Sequence, residues 1–158
     1  RMVVYRESHT AGRIEDDGWV VANFIFDPVI YVLTAFEDLP LDNFIDEDAG
    51  GIPVQRLNGA EAWAAYSAAI ERKTDEAVMV KLSLLREEII TPVIHPVNRG
   101  FNSIIEATVH ATRFARTGDE TLKRLIRHHA RLVKRCGGER EIEALSLLFG
   151  YLGIPEKP

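Results

Sequence analysis

Within Arg6-Glu7-Ser8-His9-Thr10-Ala11-Gly12-Arg13, two guanidinium groups and two hydroxyls fall in one short polar stretch. These are the groups that phosphate binding uses: arginine for charge-assisted paired hydrogen bonds, hydroxyls as neutral donors, and exposed N–H groups where a helix begins. An ordinary solvated turn after a strand explains the same residues, and no Walker-type loop is present to decide between the two. A second candidate is Asn98-Arg99-Gly100-Phe101-Asn102 with the helix behind it. Arg99, Asn102, Glu106, His110 and Arg113 recur at helical spacing and share one face, while Ile104, Ile105 and Val109 fall elsewhere and supply the core contact. Such a stripe suits a ligand site, a dimer contact or a solvated face held by spaced ion pairs. No residue stands out as a catalytic acid or base; Glu106 and His110 form the one pair in which a carboxylate can orient and charge an imidazole.

Other reactive side chains carry less. His128 and His129 are adjacent, so on a helix they diverge by about 100° and read as surface histidines of a basic helix. Cys136 precedes two glycines at a helix end, where the dipole disfavours a thiolate despite Lys134 and Arg135 nearby. Ser67, Ser83 and Ser103 lack a nucleophile motif. The acidic run from Asp42 to Asp48 lacks the spacing of a calcium loop, and no metal site is expected.

The elements that must position these groups follow from pattern. Residues 3 to 5 read as a strand, 6 to 13 as a loop leading into a short helical turn, and Trp19 to Phe26 as a second strand. Asp27-Pro28 caps and opens a helix reaching about Phe36. Residues 37 to 59, acidic and carrying Gly50-Gly51, read as a long surface connection with one helical turn near Leu41 to Ile45. From 60 to 91, alanine-rich sequence favours helix but Val78, Val80, Leu82 and Leu84 alternate, and Lys73 to Glu76 supplies a turn, so a β-hairpin is expected. Pro92 and Pro96 close the strand region. Three helices follow, about 101–116, 120–136 and 139–152, the second stopped by Gly137-Gly138. Strands first and helices last mean α+β, or two subdomains, rather than a parallel doubly wound sheet.

The chain has 158 residues, 46% of them hydrophobic, enough for one core or a domain with an appendage. A formal charge of −5 gives no general attraction to nucleic acid or anionic lipid. No apolar run approaches ~18 residues, so no membrane partner is expected. The lone Cys136 excludes an internal disulfide and fits a reducing, cytoplasmic location. The opening Arg1-Met2-Val3-Val4-Tyr5 reads as the middle of a strand and not as a natural start, so earlier residues are expected in the full protein.

The run from Asn98 through Arg113 resembles the hallmark segment of the domain-of-unknown-function family 447, archaeal-type flavoproteins also carried by some bacteria. The stretches Arg6 to Thr10, Trp19-Val20-Val21-Ala22-Asn23-Phe24, Asp27-Pro28 and Cys136-Gly137-Gly138-Glu139-Arg140-Glu141 are similar to the same family, so the resemblance covers nearly the whole chain. It implies an FMN-binding split β-barrel of the flavin-reductase type in residues 1–97 and a three-helix subdomain in 98–158. It also implies a homodimer with FMN near the subunit interface. By position, Arg6, Ser8, Thr10 and Arg13 are the implied phosphate residues, Asn23 and Asp27 lie on the flavin side, and Arg99 joins the cofactor-binding set. His9 and Ala11-Gly12 depart from the family's loop, and the family's upstream barrel strands are expected to be missing from this chain. The implied function is an FMN-dependent oxidoreductase of unassigned substrate, with a small molecule or a protein as redox partner. The alternative is a flavin-binding or partner-binding module without turnover.

Overall fold

The computed structural model describes residues 1–155. Its elements are β1 (Met2–Tyr5), α1 (His9–Asp17), β2 (Trp19–Phe24), α2 (Pro28–Phe36), β3 (Phe44–Asp48), β4 (Pro53–Leu57), β5 (Ala62–Lys73), β6 (Ala77–Ile89), α3 (Arg99–Thr117), α4 (Glu120–Cys136) and α5 (Glu139–Leu152). They fall into two compact units, one of Arg1–Phe26 with Leu41–Val93, the other of Asp27–Pro40 with Ile94–Pro158. The fold is α+β, a curled antiparallel half-barrel sheet plus a helical subdomain, as the sequence leads one to expect. In these compact units α2, though it precedes most of the strands in the chain, goes with the later helices. The reason is packing: Val29 and Val32 of α2 are buried in one cluster with Ile104, Ile126, Val133, Leu145 and Leu148.

In the sheet unit, the four-stranded order is β1-β6-β5-β2, antiparallel throughout. The long β5–β6 hairpin forms its centre, and its register slips at Ala65/Tyr66 and at Ile70/Arg72. Each such irregularity adds local twist, which is how a flat ladder curls. Because side chains alternate across a strand, the sheet buries two separate sets. Val78 and Val80, with Val20, Ala68 and Ile70, pack on Ala11 and Ile14 of α1. Trp63 and Ala65, with Trp19 and Val21, pack on Ala49, Ile52 and Val54.

Two sequence expectations for this unit need correction. The short helical turn near Arg13 is a nine-residue helix, capped by Ser8 and closed by Gly18 at φ 71°; Ala11 and Ile14, three apart, give it a buried face. Residues 37–59 contain the expected helical turn, at Leu41–Asn43, but the rest is not a surface connection: β3 and β4 pair antiparallel around Gly50 and Gly51, both at positive φ. Acidic residues that read as loop instead make cross-strand contacts, Asp46 with Gln55 at 2.9 Å and Glu47 with Arg56 at 2.9 Å.

In the helical unit, α3 and α4 form an antiparallel hairpin across Gly118 at φ 66°. The close approach of α3 to the α4–α5 junction requires glycine at 100, where a Cβ would lie 2.4 Å from Gly137 Cα; at Gly137 a Cβ would instead meet Val133 O at 2.8 Å and Glu141 Cβ at 2.9 Å. Tyr151 of α5 stacks on Phe36 with ring centroids 4.9 Å apart, and its hydroxyl donates to the Glu37 carboxylate.

Candidate functional site

The polar stretch after β1 is held tightly to its own backbone. Ser8 Oγ donates to the Tyr5 carbonyl (2.7 Å) and accepts from Ala11 N–H (3.1 Å), so this hydroxyl is fully engaged in capping α1. Arg6 is anchored by its backbone N–H to the Glu76 carbonyl (3.0 Å). Its guanidinium reaches only weakly toward the β5–β6 turn, 3.3 Å from the Thr74 carbonyl and 3.9 Å from Asp75, and stays half exposed. Thr10 and Arg13 are exposed on the first turns of α1, where backbone N–H groups precede the first intrahelical acceptors. Thr10 thus stands in the first turn of α1, at the positive end of its dipole, Arg13 lies one turn farther on, and the Arg6 guanidinium faces the β5–β6 turn.

Asn23 is elsewhere in the sheet. Its Oδ1 accepts from Leu57 N–H at 2.8 Å and ties β2 to β4. β1 and β2 occupy opposite edges of the sheet. Tyr5 pairs with Ala77 at one end of β6, while Asn23 pairs through Trp63 to Glu88 at the other. That separation is about 36 Å of extended strand. The Arg6 loop and Asn23 are not gathered into one constellation by the sheet of a single chain.

Asp27 and Arg99 belong to the helical unit. Asp27 Oδ1 caps α2 through Val29 N–H (2.8 Å) and Ile30 N–H (3.2 Å), and Oδ2 takes Arg140 Nη2 at 2.7 Å. Burial alone would raise its pKa, but the Arg140 hydrogen bond, the two helix amides and the Arg140 charge outweigh it and bring the carboxyl below 3.8. Both carboxylate oxygens are thus committed to structure. Arg99 opens α3 and is exposed. Its neighbour Asn98 does structural work: Oδ1 accepts from Gly100 N–H (2.9 Å) and Phe101 N–H (3.1 Å), while Nδ2 donates to Glu141 Oε1 (2.9 Å). The other oxygen of Glu141 accepts from Gly138 N–H at 2.7 Å.

The α3 stripe leads to a cluster that pattern alone only half revealed. Glu106 is exposed on α3, and His110, one turn farther on, is half-buried and meets His129 of α4 with ring centroids 5.7 Å apart. His128 touches His129 edge-on at 5.4 Å. Nδ1 of His110 and Nδ1 of His129 are both buried without a hydrogen-bond partner. Burial, then the neighbouring His110 and His128, push the His129 pKa below 6.5, with Glu106 opposing. On α2, burial and then the Glu106 charge raise the Tyr31 phenol above its ordinary value. Three helices thus bring a phenol, a carboxylate and two imidazoles into electrostatic contact. With its pKa held down, the His129 imidazole stays neutral near neutral pH and offers a lone pair as a hydrogen-bond acceptor. Tyr31 and His129 were missed from sequence. The available signal was that His129 lies between Ile126 and Val133, on the flank of the buried side of α4 rather than on its exposed face.

A curled antiparallel half-barrel sheet and a helical subdomain together define an α+β architecture. Residues 1–91 match the N-terminal domain, and residues 98–150 a further domain, of the family described as Protein of unknown function (DUF447). The chain belongs to that family. Among solved structures it is similar to an FMN-bound protein of the same family from Methanosarcina mazei, at 33% identity and a TM-score of 0.88, covering 95% of this chain and 81% of the other. Comparison with curated proteins returned no match.

Proposed function

We propose that this chain is an FMN-binding flavoprotein that works as a homodimeric oxidoreductase. The observation that carries the reading is its likeness, over nearly its full length, to a family member crystallised with FMN. The donor set fits the cofactor's phosphate. Arg6 and Arg13 supply charge and Thr10 a hydroxyl around the start of α1, whereas Ser8 contributes by capping the helix that presents them. When bound, FMN supplies the electron transfer; the protein's part is to bind and orient it and to set the local electrostatics.

A dimer accounts for two features of the sheet unit. Phe24, Leu84 and Ile89 share one sheet face by register and are 58%, 52% and 73% exposed, more apolar surface than a monomer's sheet usually leaves in water. The Arg6 loop and Asn23 lie at opposite edges of one sheet, so a site using both draws them from two copies. The single Cys136 suits a reducing cytosol.

A second reading has its own support. Of the residues expected at the flavin, Ser8, Asn23 and Asp27 are committed to the protein's own hydrogen bonds and offer position rather than a proton-transfer group. On that reading the flavin is held without turnover, as a carrier or sensor. Reduction by nicotinamide cofactors, followed at the flavin absorption band, separates the two.

The test of binding is Arg6→Ala. A charge-assisted hydrogen bond contributes about 1.5–3 kcal/mol, so FMN affinity should drop roughly ten- to a hundredfold. Riboflavin, which lacks the phosphate, should bind the variant as it binds the wild type. Equal loss for both ligands would remove Arg6 from the phosphate site.

A further inference from the structure

The charge of this chain is unevenly distributed. α4 holds six of its 19 cationic residues and only one of its 24 acidic ones. The helix therefore carries +5 and the remainder −10, apart from its two histidines. That one acid, Glu120, is already paired with Lys123 at 2.9 Å. Arg124, Arg127, His128, Arg131, Lys134 and Arg135 fall within about 120° of arc and extend along about 16 Å of the helix. Ile126, Ala130 and Val133 occupy the opposite side and are buried in the helical core. Arg124 reaches no farther than Thr121 Oγ1, at 3.2 Å on its own helix. Arg127, Arg131 and Arg135 make no ion pair with any described residue.

We propose that the outward face of α4 is a docking surface for an acidic segment of another protein. The proposal stands independently of flavin binding. The isolated −5 of the whole chain hides this surface, because a stripe is felt locally within a Debye length while net charge is felt beyond it. Successive cations recur about once per helical turn, which is the repeat with which an acidic helix presents carboxylates along one face. The short footprint argues against an extended polyanion. Nucleic acid running past the ends of the stripe meets a chain whose remaining residues carry −10, whereas a short acidic segment ends where the cations end. An anionic membrane is disfavoured for a different reason: the apolar side of α4 is used in the core and cannot insert. Guanidinium groups, which predominate here, pair carboxylates in the two-pronged geometry that lysine cannot match.

The test is a fluorescence-anisotropy titration of the full chain with a short labelled polyglutamate peptide at low salt. The wild type should bind it, and raising the salt to physiological ionic strength should weaken binding. The triple variant Arg127→Glu, Arg131→Glu, Arg135→Glu should bind polyglutamate at least about tenfold more weakly, and it should acquire binding to polylysine. The neutral triple variant Arg127→Gln, Arg131→Gln, Arg135→Gln should also lose polyglutamate. Failure of the wild type to bind, or retention of binding in either variant, overturns the proposal. Tighter binding of a DNA duplex of equal charge, or of phosphatidylserine vesicles, overturns it in favour of those partners.

Discussion

Replacing Asn98 with alanine removes three hydrogen bonds from the junction of α3 with α5. Two are the cap bonds from Gly100 and Phe101 N–H, whose loss at an N-cap costs about 1 kcal/mol. The third is the bond from Nδ2 to Glu141 Oε1 at 2.9 Å. Glu141 is only 6% exposed, so water replaces that donor poorly, and a hydrogen bond to a charged group contributes about 1.5–3 kcal/mol. The expected loss is therefore about 3 kcal/mol for the helical unit. For a chain of this size that corresponds to a fall in melting temperature of roughly 6–12 °C. Far-UV circular dichroism during thermal and urea unfolding measures it, with Asn98→Asp as a companion that keeps the cap but faces Glu141 with a like charge. The alanine variant should bind flavin normally per folded molecule. A loss below about 0.5 kcal/mol, the range of ordinary surface substitutions, would refute the clamp. So would a flavin defect at unchanged stability, which would instead place Asn98 in the cofactor site.

Gly100→Ala should be worse tolerated than a typical glycine-to-alanine change in a helix, which usually stabilises. Its Cβ meets Gly137 backbone at 2.4 Å, so an overpacking loss at the upper end of about 1–3 kcal/mol is expected in the same melts, and a stabilised variant would contradict the packing. His129, with its pKa held below 6.5 by burial and by His110 and His128, makes stability pH-dependent. As pH falls below 6.5 the unfolded chain takes up a proton that the folded one resists, so stability is full above that value and declines below it. His129→Gln should flatten this part of a urea-midpoint profile, and an unchanged profile would show that His129 does not titrate as described. Light scattering at micromolar concentration should give the mass of a homodimer; a monomer that still holds FMN would rule out a shared site.

Much of this was legible because local chemistry and tertiary structure agree. Asp27-Pro28 reads as a helix start and is one, and the alternation from Val78 to Leu84 marks β6. Gly137-Gly138 marks the α4–α5 junction, although Gly137 ends α4 in an extended conformation at φ −84° rather than a left-handed one. The failures have a common cause. β3 was hidden because Asp46, Glu47 and Asp48 are poor strand formers on their own, and only pairing with Gln55 and Arg56 across the hairpin makes them a strand. That α2 packs with the later helices was not legible, because nothing local in Val29 or Val32 specifies contact with Ile104 and Leu148. Within the site, the Asn98 to Arg113 stripe was visible by spacing, but its partners Glu141, His129 and Tyr31 come from three other helices, which spacing along one helix cannot supply.

The central claim is flavin binding, and the visible absorption spectrum of the purified protein tests it most directly. The account predicts a yellow protein with flavin bands near their usual positions, releasing FMN and not FAD on denaturation, at one FMN per chain. A colourless protein whose spectrum and fluorescence do not change on titration with FMN would contradict it.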